Sequence, residues 1–153
     1  MDLLQNINIK KLDINDFEKI KMFHVEHFAN YKISDNSFRT YLTKTQYETF
    51  GMFHVKHLIG YVIFLVSQNE ADIVYIVTHP RYRKMGVATK LLNEKCSTWN
   101  ILENGDVNFK IFIEVEVENL SAIAFYKSQN FQIISIRKKY LNGQDSYLMV
   151  KEL

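Results

Sequence analysis

Three groups of residues in this 153-residue chain have types and spacings suited to chemistry. The first is a basic turn, Arg81 to Gly86, set between Pro80, the only proline, and a run with helical spacing (Ala88, Leu91, Leu92, Cys96, Trp99). The N–H groups of a helix's first turn lack intrahelical acceptors, and the helix dipole adds positive potential, so such a junction attracts anions. Gly86 and Ala88 allow a phosphate close to the backbone, while Arg83 and Lys84 place charge beside it. The spacing matches neither G-x-x-x-x-G-K-[ST] nor G-x-G-x-x-G, so this is not a P-loop or a dinucleotide fingerprint.

The second group is a carboxylate pair, Glu114 and Glu116, in a segment that alternates from Phe109 to Val117. A period of two puts both on one face of a strand, either as a proton-accepting, cation-attracting face or as a plain solvated acidic one. The third is a near-repeat, Met22–His27 and Met52–His57, with His-x-x-His in each copy. On a helix the two histidines share a face, but on a strand they point to opposite faces. With no cysteines or paired acids nearby, metal binding is not supported. A constraint in the gene is an alternative. Met-Phe-His-Val-Lys-His can be encoded by ATGTTTCACGTGAAACAT, which holds a palindrome resembling the centromere-like sites of bacterial chromosome-partition proteins.

The elements that must position these residues follow from periodicity. Ile7, Ile9 and Leu12 suggest a first strand, and a helix start at Asp13–Asn15 leads into Phe17, Ile20 and His24. A second helix follows Ser34–Asn36 and carries Phe38, Tyr41 and Leu42. Tyr47–Val55 and His57–Ser67 read as a hairpin, and Ala71–Thr78 as a strand joined to it through Gln68–Glu70. The helix opened by Gly86 ends near Asn104–Gly105; a further helix starts near Asn119 and contains Ala122, Ile123, Phe125 and Tyr126. Strands at Phe131–Tyr140 and Ser146–Val150 meet across Asn142-Gly143. The order β-α-α-β-β-β-α-β-α-β-β implies one α/β (α+β) domain over residues 1–153, with helices flanking a mixed sheet.

Composition narrows the function classes. A net charge of +2 with a sequence pI near 8.5 falls short of the basic footprint of a nucleic-acid binder. A lone cysteine, Cys96, excludes an internal disulfide, and its place on an apolar helix face suits the core better than an acyl carrier. Met1–Leu4 lacks signal-peptide chemistry, and the longest apolar run, Leu58–Val66, is well short of the ~20 residues of a membrane span. A cytoplasmic protein that binds neither membrane nor nucleic acid is expected.

The motifs now reach a family. Arg83-Lys84-Met85-Gly86-Val87-Ala88 resembles the R/Q-x-x-G-x-G/A signature of the GCN5-related N-acetyltransferases (GNAT), with their usual hydrophobic strand and x-Pro before it. Asn119 to Phe131, through Ala122, Phe125 and Tyr126, resembles the family's second block, Asn-x-x-Ala-x-x-Phe/Leu-Tyr-x-x-x-Gly-Phe. The resemblance runs from at least Tyr47 to the C-terminus. It is closest to the ribosomal-protein-alanine N-acetyltransferases, through Ile113-Glu114-Val115, Ile136 to Tyr140 and Asp145 to Met149. Two positions depart from the pattern: Asn130 replaces the usual glycine, and Leu141 replaces the second tyrosine of a pair.

The resemblance implies a mostly antiparallel seven-stranded sheet flanked by about four helices, with acetyl-CoA as acetyl donor and no metal. It places the pantetheine between the strand ending at Thr78 and the strand carrying Glu114. Backbone groups of Ile76, Val77 and Thr78 would pair with it, and one of their N–H groups would serve the oxyanion. The pyrophosphate would rest on the amides of Lys84, Met85, Gly86, Val87, Ala88 and Thr89 beside Arg83, and Asn119 would reach the cofactor. Glu114 would be the general base, with neighbouring carboxylates and partial burial expected to tune it, and Tyr126 would be the general acid for the CoA thiolate. Glu116 and Tyr140 would face the acceptor.

The acceptor implied is a protein N-terminus, specifically the N-terminal alanine of a small-subunit ribosomal protein, bound by a monomer or weak dimer. An α-amine, with a pKa of about 7.7–8.0 against about 10.4 for lysine, needs only one tuned carboxylate to deprotonate it. Lysine or a small amine (a polyamine or aminoglycoside) as acceptor, and a non-catalytic CoA-binding module, stand as the other readings.

Overall fold

The computed structural model describes residues 5–30, 32–102, 108–141 and 143–153. The Met1–Leu4 start, the helix end expected at Asn104–Gly105, and Asn142 of the last turn lie outside them. Strands are β1 (Ile7–Lys11), β2 (Tyr47–His54), β3 (His57–Val66), β4 (Glu70–Thr78), β5 (Lys110–Glu116), β6 (Gln132–Leu141) and β7 (Gln144–Glu152). Helices are α1 (Phe17–His27), α2 (Asp35–Thr43), α3 (Val87–Leu102) and α4 (Leu120–Ser128), with 3-10 turns at Ile14–Asp16 and Pro80–Tyr82. This is the expected order of elements. The strands form one seven-stranded sheet in the order β1-β2-β3-β4-β5-β7-β6. β4 and β5 run parallel, whereas β1–β2, β2–β3, β5–β7 and β6–β7 are antiparallel. Among the described residues no helix is long and apolar enough to cross a membrane.

The chain packs as two compact units, Met1–Val66 with Val74–Lys95, and Ser67–Ile73 with Cys96–Leu153. In the first, Asp13 caps the turn before α1: its side chain accepts from Asn15 N–H, and Asp16 accepts from Asp13 N–H in return. Asp16 is nearly buried but satisfied, since Lys10 Nζ also lies 3.1 Å from its carboxylate. α1 buries Phe17, Ile20, Phe23 and His24, one more side chain than the sequence spacing picks out. α2 starts at a Ser34 cap and buries Phe38 and Leu42; with Leu12, Phe53, Leu58, Tyr61 and Ile63 these side chains form the core.

Gly60 on β3 is a packing requirement. A Cβ there would lie 2.8 Å from Val77 O and 2.8 Å from Val87 Cγ1, so only glycine lets β3 sit against β4 and the start of α3.

In the second unit β5 is the ordering element. It pairs with β7 from Lys110↔Glu152 to Glu116↔Ser146, and β6 covers the other side of β7. Phe109, Ile111 and Val115 are buried, as their alternation predicts. β7 runs from Gln144 to Glu152, beyond the Ser146–Val150 core that periodicity marks, because pairing with β5 carries it on to Glu152 and pairing of Gln144 with Leu141 of β6 starts it earlier. α4 ends in a Schellman motif: Phe131 N–H donates to Tyr126 O and Asn130 N–H to Lys127 O, with Asn130 at φ 68°. Asparagine fills this left-handed position with little cost, which explains how it stands where the family has glycine.

Candidate functional site

The basic turn belongs to the first unit. His79 caps the 3-10 turn that holds Pro80, accepting from Arg81 N–H through Nδ1, and its own N–H donates to Ile59 O at 2.8 Å. The end of β4 is thereby tied to β3, with Ile76, Val77 and Thr78 half-buried just before it. Two left-handed residues follow: Lys84 at φ 60° and Gly86 at φ 82°. They reverse the chain into α3, whose first bond runs from Lys90 N–H to Gly86 O. Val87, Ala88 and Thr89 are then the first helical residues, and their N–H groups have no intrahelical acceptor. A Cβ built on Gly86 would meet nothing within 4 Å. The space over this helix start is open, Arg83 and Lys84 are exposed beside it, and Met85 is half-buried. Free amides, open space and adjacent positive charge are what a phosphate or pyrophosphate would require here.

A cavity of about 450 Å³ opens in the same unit, with Lys19, His27, His57, His79, Arg81 and Tyr82 among its lining residues. The His27 and His79 rings lie 4.0 Å apart between centroids. Burial, then the neighbouring His27 and Arg81, hold His79 below its ordinary value. Among the described residues, no group of three or more His, Cys, Asp or Glu is gathered as metal ligands would be. His24 Nδ1 is instead 2.9 Å from the Tyr61 hydroxyl, and His54 Nδ1 is 3.0 Å from that of Tyr82.

The acidic group belongs to the second unit. Glu114 is the half-buried centre of a polar cluster: Ser146 Oγ donates to Oε2 at 2.9 Å, and Arg137 Nε lies 3.0 Å from Oε1. Ser146 is wholly buried, so its hydroxyl is committed to this contact. Arg137 stacks its guanidinium over the Tyr140 ring at 4.7 Å, which links the proposed acceptor-side tyrosine to the carboxylate. Asp72 has its carboxyl pushed upward by burial and by the Glu70 and Glu114 carboxylates, with Arg137 opposing them. Glu116 is half-buried and sits opposite Ser146 in the ladder.

Tyr126 is buried on α4 and packs edge-on against Phe131. Burial raises its phenol far above the ordinary value, so it stays protonated across the working pH range. Asn119 uses its side-chain oxygen to cap α4, accepting from Ala122 N–H at 3.2 Å. Cys96 is buried, and burial raises its thiol, as befits a core residue.

The structure therefore groups Ile76–Thr89 in one unit, and Glu114, Glu116, Asn119, Tyr126 and Tyr140 in the other. Sequence reasoning missed Arg137, Ser146 and Asp72. Arg137 and Ser146 meet Glu114 across strands and Asp72 feels its charge, and the run Arg137-Lys138-Lys139 was the only signal of the cation.

The model of the acetyltransferase (GNAT) family matches residues 13–131. An N-alpha-acetyltransferase of Saccharolobus solfataricus is 34% identical over 85 residues, 55% of this chain and 49% of that protein. The chain thus spans about half the length of the relatives it matches. Among solved structures, the ribosomal-protein-S18-alanine N-acetyltransferase of Escherichia coli superposes with a TM-score of 0.82 at 23% identity, covering 95% of this chain and 93% of the other. Arabidopsis thaliana NAA60 in complex with acetyl-CoA superposes at 0.79 with 19% identity, covering 96% and 98%. These last two likenesses are of fold.

Proposed function

The chain belongs to the acetyltransferase (GNAT) family, and we propose that it transfers the acetyl group of acetyl-CoA to the α-amine of a protein N-terminus. The N-terminal alanine of a small-subunit ribosomal protein is the acceptor this reading favours. The observation that carries it is the helix start at Gly86, where two left-handed residues leave backbone N–H groups and an open space beside Arg83 and Lys84. That cradle suits the pyrophosphate of CoA. When bound, the cofactor supplies an activated acetyl thioester.

The chain's own groups divide the remaining work. Lys84 to Thr89 hold the pyrophosphate through their amides, and the backbone of Ile76, Val77 and Thr78 orients the pantetheine and acetyl carbonyl. Asn119, whose side-chain oxygen already caps α4, steadies the start of the second block beside the cofactor. Glu114 accepts the proton of the incoming ammonium, directly or through water, while Ser146 and Arg137 fix its orientation. Tyr126 donates its hydroxyl hydrogen toward the departing sulfur. Glu116 draws the cationic amine in, and Tyr140 lines its approach. The protein acts in the cytoplasm as a monomer or weak dimer.

Lysine or a small amine as acceptor is the second reading, favoured by Leu141, which stands where the peptide-acetylating subgroup has a tyrosine. Purified protein given acetyl-CoA with an Ala-starting peptide, a lysine peptide and a polyamine separates the two. Turnover only on lysine or the polyamine overturns the first. Glu114→Gln and Tyr126→Phe test a merely CoA-binding role: each is expected to lose turnover by roughly 10²–10⁴-fold, the usual contribution of proton transfer. Full turnover in both would remove these residues from the mechanism.

A further inference from the structure

The histidine-bearing repeat is the motif that acetyl transfer leaves unexplained. Its two copies, Met22–His27 and Met52–His57, differ only at Glu26 and Lys56. Yet the first lies within α1, while the second spans the end of β2, a turn and the start of β3. A repeated structural unit would repeat its conformation. These do not.

Several of the repeated residues also suit their positions poorly. Met22, Val25 and Val55 are among the large apolar residues left exposed, at 59%, 61% and 65%. Val55 stands at φ 57°, in the left-handed region that is most costly for a β-branched side chain. It occupies the β2–β3 turn, where glycine or asparagine is the usual residue. Folding alone would not choose valine there.

The genetic code supplies a common cause. Met52–His57 can be spelled ATG TTT CAC GTG AAA CAT, which contains TGTTTCACGTGAAACA, a word identical to its own reverse complement. Met22–His27 can be spelled ATG TTT CAC GTG GAA CAT, which contains TGTTTCACGTGGAACA, the same word with one purine exchanged. A third segment, Cys96–Ile101 in α3, shares no residue position by position with the repeat. Spelled TGT TCC ACG TGG AAC ATT, it contains TGTTCCACGTGGAACA, again self-complementary and read in a shifted frame. One DNA word, TGTTYCACGTGRAACA (Y a pyrimidine, R a purine), thus covers three peptides in two reading frames. A peptide-level repeat accounts for only two of them.

We propose that the gene of this protein carries three copies of a two-fold-symmetric DNA site, at codons 22–27, 52–57 and 96–101, recognised by a sequence-specific DNA-binding dimer. A palindrome presents equivalent base edges to two subunits related by a two-fold axis, which is how such dimers read paired half-sites. The protein has absorbed the encoded apolar residues where it can: Phe23, Phe53, Cys96 and Trp99 are buried. Where it cannot, Met22, Val25 and the strained Val55 remain on the surface.

Three readouts test this. The coding strand is expected to hold TGTTYCACGTGRAACA at all three segments; synonymous codons that break the word in any two overturn the proposal. Footprinting of the gene in living cells is expected to show protection at these words, lost when they are synonymously recoded to give the identical protein. Absence of protection at every copy of the native gene overturns the recognition. Finally, Val55→Asn is expected to raise the thermal midpoint with acetyl transfer unchanged, whereas a lower midpoint would show that folding selects the valine.

Discussion

Arg137 Nε lies 3.0 Å from Glu114 Oε1, while the buried Ser146 hydroxyl holds the other carboxylate oxygen at 2.9 Å. Ser146 comes from β7, which pairs with the strand of Glu114, and Arg137 from β6, one strand further out. The Ser146 hydrogen bond fixes one carboxylate oxygen, and the Arg137 cation lies against the other as an ion pair.

Arg137 is therefore expected to position Glu114. Arg137→Ala is expected to lower kcat by up to about 10²-fold, the scale of a small misplacement of a reacting group, with KM for acetyl-CoA unchanged. Arg137→Lys should restore part of the loss. Steady-state kinetics read this, and an unaltered kcat in Arg137→Ala would show the contact to be incidental.

Gly86 tests the phosphate cradle. Its φ of 82° means that alanine carries a left-handed penalty of roughly 1–2 kcal/mol, and the added methyl projects into the open space above the helix start. Gly86→Ala should bind CoA more weakly in titration calorimetry and unfold at lower urea. Wild-type CoA affinity in the variant would place the pyrophosphate elsewhere.

Gly60 tests the packing beneath that cradle. A methyl 2.8 Å from Val77 O and Val87 Cγ1 has nowhere to go, so Gly60→Ala should lose about 1–3 kcal/mol by urea denaturation, the usual cost of overpacking.

His79 gives stability a dependence on pH. Burial, the His27 ring and Arg81 hold it below its ordinary 6.5, with Glu26 opposing them. The unfolded chain then takes up a proton that the folded chain refuses, so stability is complete above about pH 6.5 and falls as the pH drops below it. His79→Gln should flatten the acid limb of a plot of thermal midpoint against pH. An unchanged limb would assign it to other groups.

Much of this was legible in residue order. The Arg83–Ala88 turn, the Asn119 cap and the alternation through Glu114 are local patterns, and local patterns survive in sequence. The left-handed Asn130 was readable for the same reason. What surrounds Glu114 was not. Arg137 and Ser146 reach it only because β6, β7 and β5 pair in a particular register, with Ser146 facing both Arg137 and Glu116. Gly60 was equally silent, since its need comes from Val77 and Val87, distant in sequence. Phe23 joins the buried face of α1 beyond the spacing that marks Phe17, Ile20 and His24, because the core reaches further round that helix.

The reaction proposed for this chain is acetylation of a protein's α-amine. The most direct measurement uses one Ala-starting peptide that also contains lysine, prepared with a free and with a blocked N-terminus, incubated with acetyl-CoA and mapped by mass spectrometry. One acetyl group is expected on the alanine nitrogen of the free peptide and none on the blocked one. Acetylated lysine in the blocked peptide, or no transfer to the free one, would contradict it.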